Sequence, residues 1–464
     1  MSFSSKFAKY FQMLLPSPFA IAVILTIITF VVALFATLPF NKSYFDYSID
    51  LLGFWEAGLW DSGPGGLYFA FQMMFLLVLG HVLALSKPFT YLINGLTHYC
   101  TNTANSAFVV TLSTIIVSLF NWGLGLIFGA ILARKIGEKF SASEKPINYP
   151  LIGAAAYVGL MVWHGGISGS APLKASESGN LKSMVEGNAN VNLSNIPDSI
   201  GFGDTIFSGM NISVMICLLF IIPAIFYWIG KKVQASKIDI ELKPHKMWEE
   251  DKPTGAEKID ASLIFSIGFG SVLIIYAFLK AFYIPDQPSL DVINPNYINL
   301  ILLGLALILH GNFRRFLHAC EDAIKDTTGI LIQFPLYFGI MGIMKSSGLV
   351  AITSEYFAQI STESSFPVFT FLSAGLINIF VPSGGGQWAV QGPILIETCQ
   401  NLGISMEKSI MALSYGDQLT NMLQPFWALP LLGITRLKAK QIMPYTLILF
   451  LIGGCIFFIN LLIF

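Results

Sequence analysis

The sequence predicts an all-α polytopic membrane protein built as two inverted repeats, each with a re-entrant hairpin and a broken helix. Three observations predict it. Of the 464 residues, 54% are hydrophobic and only 11% charged, whereas soluble domains carry about 25% charge. Uncharged runs of membrane-crossing length recur from one end of the chain to the other. Two runs do not fit single crossings. Ser364–Ile396 holds no Asp, Glu, Lys or Arg; it exceeds one crossing of about 20 residues and falls short of two. Pro88–Ala133 likewise stays uncharged for longer than one span needs. The net charge of −1 gives no ground for a nucleic-acid partner. Cys100, Cys217, Cys320, Cys399 and Cys455 are scattered without a CxxC pair, so neither a disulfide framework nor a zinc site is indicated. No cofactor is expected.

Taken in order, the apolar run after Lys6 and Lys9 is too long for a signal-peptide core and lacks an A-x-A site, so it is the first span. Spans are predicted near 19–40, 65–86, 150–173, 206–230, 261–284, 297–312, 327–347, 408–434 and 442–464. The first hairpin occupies about 103–139, with arms 103–120 and 126–139 around Asn121-Trp122-Gly123-Leu124-Gly125. The second occupies about 364–400. At its tip Pro382-Ser383-Gly384-Gly385-Gly386-Gln387 should break the segment, because Pro lacks an N–H and Gly is costly to order. A new helix is expected near Gln387. Such a break must be buried in protein or line a wet cavity.

The basic residues set the sides. Lys6 and Lys9 put the N-terminus in the cytoplasm, and Asp46, Asp50, Glu56 and Asp61 against Lys42 put the next segment outside. Lys87 precedes the first hairpin, and Arg134, Lys135, Lys139 and Lys145 close it, so it enters from inside. Lys231, Lys232, Arg314, Arg315, Arg436, Lys438 and Lys440 also fall inside. Glu355, Glu363 and Glu397 flank the second hairpin, which enters from outside. Nine full spans then leave the C-terminus outside. Lys174, Lys182 and Lys280 are mild exceptions.

Both halves read as span, surface segment, span, hairpin, broken span, span. Tyr157 precedes Pro172 by the same 15 positions as Tyr415 precedes Pro430. Residues 1–230 form the first repeat, with its broken span at 150–173. Residues 231–296 supply a cytoplasmic loop and the connecting span that inverts the second half. Residues 297–464 form the second repeat, with its broken span at 408–434. This is the plan of secondary transporters that bind their cargo at the midplane.

The breaks and tips supply the candidate binding residues. Around the first break these are His164, Gly165, Gly166, Ser168 and Ser170, read as unwound backbone with two hydroxyls or as a small-residue packing face. His164 reads equally as a proton carrier, a donor to substrate or a satisfied core histidine. Asp417 lies well inside its span, and an intramembrane carboxylate is a functional residue by default; a structural partner among nearby Ser and Asn groups is the alternative. Asn421 and Gln424 follow at helical spacing that puts all three on one face. The tips add Asn121, Gly123, Gly125, Ser383, Gly384, Gly385, Gly386 and Gln387. No Arg or Lys lies near either tip or break in sequence. A small monocarboxylate can be held by helix N-termini and neutral donors alone.

The motifs Val162-Trp163-His164-Gly165-Gly166-Ile167-Ser168-Gly169-Ser170-Ala171-Pro172-Leu173, Val381-Pro382-Ser383-Gly384-Gly385-Gly386-Gln387-Trp388-Ala389-Val390-Gln391-Gly392-Pro393 and Gly416-Asp417-Gln418-Leu419-Thr420-Asn421-Met422-Leu423-Gln424-Pro425-Phe426-Trp427 resemble the bacterial short-chain fatty acid transporter family. That family is the permease type of acetoacetate and butyrate catabolism and is similar to the ion-transporter superfamily. The resemblance covers essentially the whole chain. It implies two hairpins, Na⁺ sites at their tips and a transport domain moving against a scaffold. The dicarboxylate members carry Ser-Asn-Thr at the tips, and this chain does not. The expectation is cation-coupled import of small monocarboxylates across a bacterial cytoplasmic membrane. H⁺ and Na⁺ both remain open as the coupling ion, with Asn121, Ser383 and Asp417 as candidate Na⁺ contacts and a homodimer as a candidate assembly. The alternatives are a passive channel, and a GxSG intramembrane protease using Ser168, His164 and Asp417.

Overall fold

Helix ends in this chain are fixed by side chains that accept the free N–H groups of the next turn. Ser17, Ser43, Asn102, Asn121, Asn148, Ser208, Asn312, Ser383 and Ser405 each cap a helix in this way. The computed structural model describes residues 16–60, 67–86, 91, 95–186, 191–238, 254–284 and 295–464. Lys6, Lys9, Asp61, Lys87 and the middle of the 231–260 loop lie outside the described residues.

The first half contains α1 (Pro18–Ala36), α2 (Tyr44–Leu59), α3 (Leu67–Ala84), α4 (Thr103–Phe120), α5 (Trp122–Ala142), α6 (Tyr149–Tyr157), α7 (Ser170–Ser176), α8 (Asn180–Met184) and α9 (Gly209–Lys232). Between α6 and α7 the chain passes through two short 3₁₀ turns, Val158–Met161 and Trp163–Gly165. Then come α10 (Glu257–Asp260), α11 (Leu263–Phe282), α12 (Pro295–His310), α13 (Phe313–Ala323), α14 (Thr328–Ser346) and α15 (Leu349–Gln359). The last group is α16 (Phe366–Phe380), α17 (Gly384–Leu402), α18 (Met406–Thr420), a 3₁₀ turn at Asn421–Leu423, α19 (Pro425–Thr435) and α20 (Ala439–Ile463).

The fold is all-α and polytopic. Among the described residues seven helical segments are long and apolar enough to cross a membrane, and pairing between extended segments is limited to one isolated bridge, Ile147 with Ser236. Their burial differs sharply. The windows in α1 and α11 are each 17% buried, whereas the broken segment Tyr149–Ser176 is 89% buried. The outward faces of α1 and α11 carry Ile27, Phe35, Ile264 and Val272, exposed as a lipid-facing surface would be. The broken segment is the centre around which the rest packs.

Several expectations are corrected. The segment after the first span is not merely a surface stretch: α2 packs along α14, and Gly58 meets the backbone of Phe338 and Gly339 there. The second arm of the first hairpin starts at Trp122 rather than residue 126, because the Asn121 side chain accepts the Leu124 N–H and starts the helix at once. Gly123 and Gly125 therefore sit inside α5. The triple glycine does not break its segment. The break is Val381-Pro382-Ser383, and Gly384–Gly386 form the first turn of α17, with Ser383 Oγ accepting the Gly386 N–H. None of the three adopts a positive φ. Asp417, Asn421 and Gln424 do not share one helix face, because α18 ends at Thr420 and Gln424 is extended.

Candidate functional site

Both tips reach Trp163 of the first break, and the second break joins them through Trp427 against Trp122. On the first-hairpin side, the Ile167 N–H donates to the Leu119 carbonyl at 2.9 Å and the Trp122 N–H donates to Ser168 Oγ at 3.1 Å. The tip of the α4–α5 pair is thus bonded directly to the first break. Close approach is possible because glycine lies at the contact: a Cβ on Gly166 would fall 2.3 Å from the Leu119 oxygen. Trp122 stands 6.1 Å from Trp163 and 5.3 Å, edge to face, from Trp427 at the second break. On the second-hairpin side, a Cβ on Gly384 would lie 2.8 Å from the Trp163 ring edge, 3.0 Å from His164 Cε1 and 3.2 Å from Ser170 Oγ. Trp163 stacks on His164 with centroids 4.4 Å apart.

The two breaks are also tied to each other. The Tyr157 hydroxyl, at the end of α6, lies 2.8 Å from the Asn421 carbonyl and 3.0 Å from that of Gln424. Tyr415, its counterpart on α18, donates to Asn211 Oδ1 at 3.0 Å, and the Asn211 amide donates in turn to the Gly165 carbonyl at 2.8 Å. Each tyrosine therefore serves carbonyls freed by the opposite break, one directly and one through Asn211. Gln418 Oε1 accepts the N–H groups of His164 and Gly165. The carbonyls and N–H groups that an unwound helix strands are in this way largely satisfied by side chains.

His164 and Asp417 face each other in the interior, 0% and 1% exposed. His164 Nε2 accepts the Ala171 N–H at 3.0 Å. The neutral ring then carries its proton on Nδ1, which lies 3.5 Å from Asp417 Oδ1. Asp417 makes no ion pair with Lys or Arg among the described residues. On the helices packed against α18 and at its break, three amides turn their NH₂ groups onto oxygens: Asn378 to the Asp417 carbonyl, Thr420 and Asn421, Gln424 to the Asn378 carbonyl, and Gln387 to the Ala374 carbonyl and Gln391. Asn378 Oδ1, Gln424 Oε1, Gln387 Oε1 and Asp417 Oδ2 are left buried without donors. Such an excess of acceptors is costly unless something positive or protic sits among them. Three donors without a hydrogen-bond partner, Trp163 Nε1, His164 Nδ1 and Gln418 Nε2, lie in the same region.

The expected site residues divide accordingly. His164, Ser168, Ser170, Gly384, Asp417, Asn421 and Gln424 are brought into this cluster, and Asn121 caps the adjoining tip. Gly165, Gly166 and Gly125 act at close contacts: a Cβ would strike Met215 and Asn211, Leu119, and Ser118 respectively. Gly385 is exposed with open space around it, and Gly123 has only loose neighbours. Ser383 and Gly386 cap and open α17. Sequence reasoning missed Tyr157 and Tyr415 as bridging groups, and Asn211, Asn378 and Gln418 altogether. An uncharged Asn or Gln in an apolar run was the available signal. A protease arrangement is not formed, since Ser168 accepts from Trp122 and His164 Nε2 is occupied by Ala171, while such chemistry needs the serine bonded to the base. A groove of about 510 Å³ lined by Tyr99, Asn105, Phe108, Val109, Ala224 and Tyr227 lies on the flank between α4 and α9 and shares no residue with the cluster.

A profile of the family described as "Short chain fatty acid transporter" matches residues 1–464. A protein of Escherichia coli strain K12 carrying a short-chain fatty acid transporter name is 35% identical over 460 residues, covering 97% of this chain and 96% of the relative. A Haemophilus influenzae protein of the same name is 35% identical over 454 residues, covering 96% of each. Among solved structures, the YdaH transporter of Alcanivorax borkumensis aligns over 95% of this chain and 97% of its own at 15% identity and a TM-score of 0.40. Neisseria gonorrhoeae MtrF, described within a class of antimetabolite efflux pumps, aligns over 99% and 96% at 14% identity and a TM-score of 0.43.

Proposed function

The chain belongs to the short-chain fatty acid transporter family, and from that premise we propose a cation-coupled secondary transporter of small monocarboxylates. Its substrates are acids of the size of acetoacetate or butyrate, imported across a bacterial cytoplasmic membrane. The observation that carries the coupling is Asp417, a buried carboxylate at the junction of two broken helices that faces the His164 ring at 3.5 Å and pairs with no Lys or Arg among the described residues. A carboxylate in that setting is uncompensated unless it takes up a cation. The unpartnered oxygens of Asn378, Gln424 and Gln387 favour Na⁺ as that ion, since amide and carboxylate oxygens are the ligands broken transporter helices offer to Na⁺.

The inverted-repeat reading, with residues 1–230 and 297–464 as halves, is supported by the repeated order of hairpin, broken helix and long apolar helix. The exchange of Tyr157 and Tyr415 contacts across the breaks also supports it. Coupling has a simple physical origin in this arrangement. An anion near Gly384 feels the Asp417 charge through His164, and a cation held at Asp417 removes that repulsion.

The experiment is uptake of radiolabelled butyrate or acetoacetate into proteoliposomes with imposed Na⁺ or H⁺ gradients of either direction. Saturable, concentrative uptake driven by an inward Na⁺ gradient is the expected result. Uptake that neither saturates nor responds to any gradient refutes the reading in favour of a passive pore.

A further inference from the structure

Trp163 is only 5% exposed, yet its indole N–H has no partner. Its ring edge lies against Gly384, the first residue of the 19-residue helix α17. The first N–H groups of that helix have no acceptor within the helix and carry its positive end. At Gly384 only a hydrogen fits, because any Cβ would meet Trp163, His164 and Ser170; one residue on, Gly385 opens onto empty space. One tryptophan ring thus carries an unpaired donor and sets its benzo edge against a helix N-terminus that has open space one residue on. Beyond Trp163 the rings of Trp122 and Trp427 continue the apolar wall.

We propose that Trp163 and the first turn of α17 form the carboxylate-recognition subsite: the indole N–H and the N–H groups of Gly384 and Gly385 donate to the substrate carboxylate. The short acyl tail lies along Trp122 and Trp427. The proposal rests on reading the chain as a monocarboxylate transporter and names the residue that recognises the shared end of all such acids. It explains how a site with no Arg or Lys among the residues brought together at the two breaks holds an anion. A tryptophan N–H is a donor that never accepts, so it discriminates a carboxylate from an amide NH₂ group. Stacking on His164 fixes the ring, so little side-chain freedom is lost on binding.

The test compares wild type, Trp163→Phe and Gly384→Ala, reconstituted in proteoliposomes. Initial rates are measured for acetate, butyrate and hexanoate, with butyramide as a neutral competitor, and folding is checked by thermal melting in detergent. Trp163→Phe keeps the stacked ring and removes the donor. Losing a hydrogen bond to a charged group should raise KM by about tenfold or more, by the same factor for every acid that is transported, with Vmax retained and butyramide a poor competitor throughout. Gly384→Ala, whose methyl displaces the ring edge, should raise KM in the same uniform way. It carries the test if Trp163→Phe does not fold. An unchanged KM in the folded variants overturns the subsite, as does a loss confined to Vmax or a penalty that grows with chain length, which marks a packing role. Wild-type protein that takes up none of the acids overturns the transporter reading instead, so the two failures are distinguishable.

Discussion

Replacing Gly166 with alanine should separate the first hairpin from the broken helix. Gly166 is extended, with φ −99° and ψ −179°, so alanine meets no backbone strain there. The conflict is steric. The new Cβ would lie 2.3, 2.8 and 2.9 Å from the oxygen, Cα and carbonyl carbon of Leu119, all backbone atoms that cannot rotate away. Restoring ordinary contact requires the tip to back off by about 1 Å, as real Cβ contacts begin near 3.4 Å. That shift strains the Ile167–Leu119 and Trp122–Ser168 bonds that join the two segments. Overpacking costs roughly 1–3 kcal/mol and each of the two weakened bonds about 0.5–1.5, so the loss should be about 2–6 kcal/mol in all. Denaturant titration in detergent micelles, alongside Gly385→Ala, measures it. Gly385 has open space, so alanine there should leave stability unchanged or raise it by up to about 1 kcal/mol, alanine being the better helix former. A Gly166→Ala protein as stable as wild type would show that the tip is a loosely docked loop, and the close-packed account of the break would fall.

Three further outcomes are expected. Asp417→Asn should retain butyrate exchange but lose gradient-driven accumulation, with apparent Na⁺ affinity lowered because one oxygen stays and the charge goes; an unaltered coupling ratio and Na⁺ dependence would remove Asp417 from the coupling step. Tyr157→Phe leaves the Asn421 and Gln424 carbonyls without their donor in a buried setting, which should cost about 1–3 kcal/mol in the same denaturant titration; a loss below about 0.3 kcal/mol would argue that water replaces the hydroxyl. Glu257 is held below its ordinary value of 4.5, first by the Thr254 backbone N–H and then by Arg314, 3.0 Å away at the start of α13. Because the folded value is the lower one, its contribution is present above about pH 4.5 and fades as pH falls through the depressed value. Melting curves of wild type and Glu257→Gln should therefore differ at neutral pH and converge in acid, and a difference that persists in acid would assign the effect to something other than the carboxylate charge.

The parts of the fold legible in the sequence are those a bilayer imposes. Long uncharged runs mark spans because lipid tolerates few charges, and the two anomalous runs pointed correctly to 103–120 and to the break beside Pro382. Where the reading failed, local chemistry decided the outcome. Gly384–Gly386 looked like a break because glycine is a poor helix former in water. Helix propensity counts for little once Ser383 caps the turn and the first residue must pass within contact of Trp163. Propensity is a weak prior and tertiary packing overrode it here. The helical spacing of Asp417, Asn421 and Gln424 misled for a related reason: spacing assumes a continuous helix, and Pro425 begins a new one.

The polar interior was hardest to read, and its composition shows why. Asn211, Asn378 and Gln418 sit in segments that by hydropathy are unremarkable, yet each one satisfies a backbone group stranded by a break in another segment. Backbone hydrogen bonds opened in one helix must be closed by side chains from its spatial neighbours, and sequence order does not disclose those neighbours. Asn211, Asn378 and Gln424 answer this demand with their NH₂ groups and Gln418 with its oxygen, because the breaks expose carbonyls as well as N–H groups. The oxygens of Asn378 and Gln424 are left buried without a donor, while Asn211 Oδ1 is met by Tyr415. The same step that stabilises the unwound backbone thus leaves unpaired amide oxygen in an interior that also holds a buried carboxylate. The cation site proposed at Asp417 would thus follow from breaking two helices side by side where the buried carboxylate pairs with no Lys or Arg among the described residues, and the Asp417→Asn measurement tests that consequence directly.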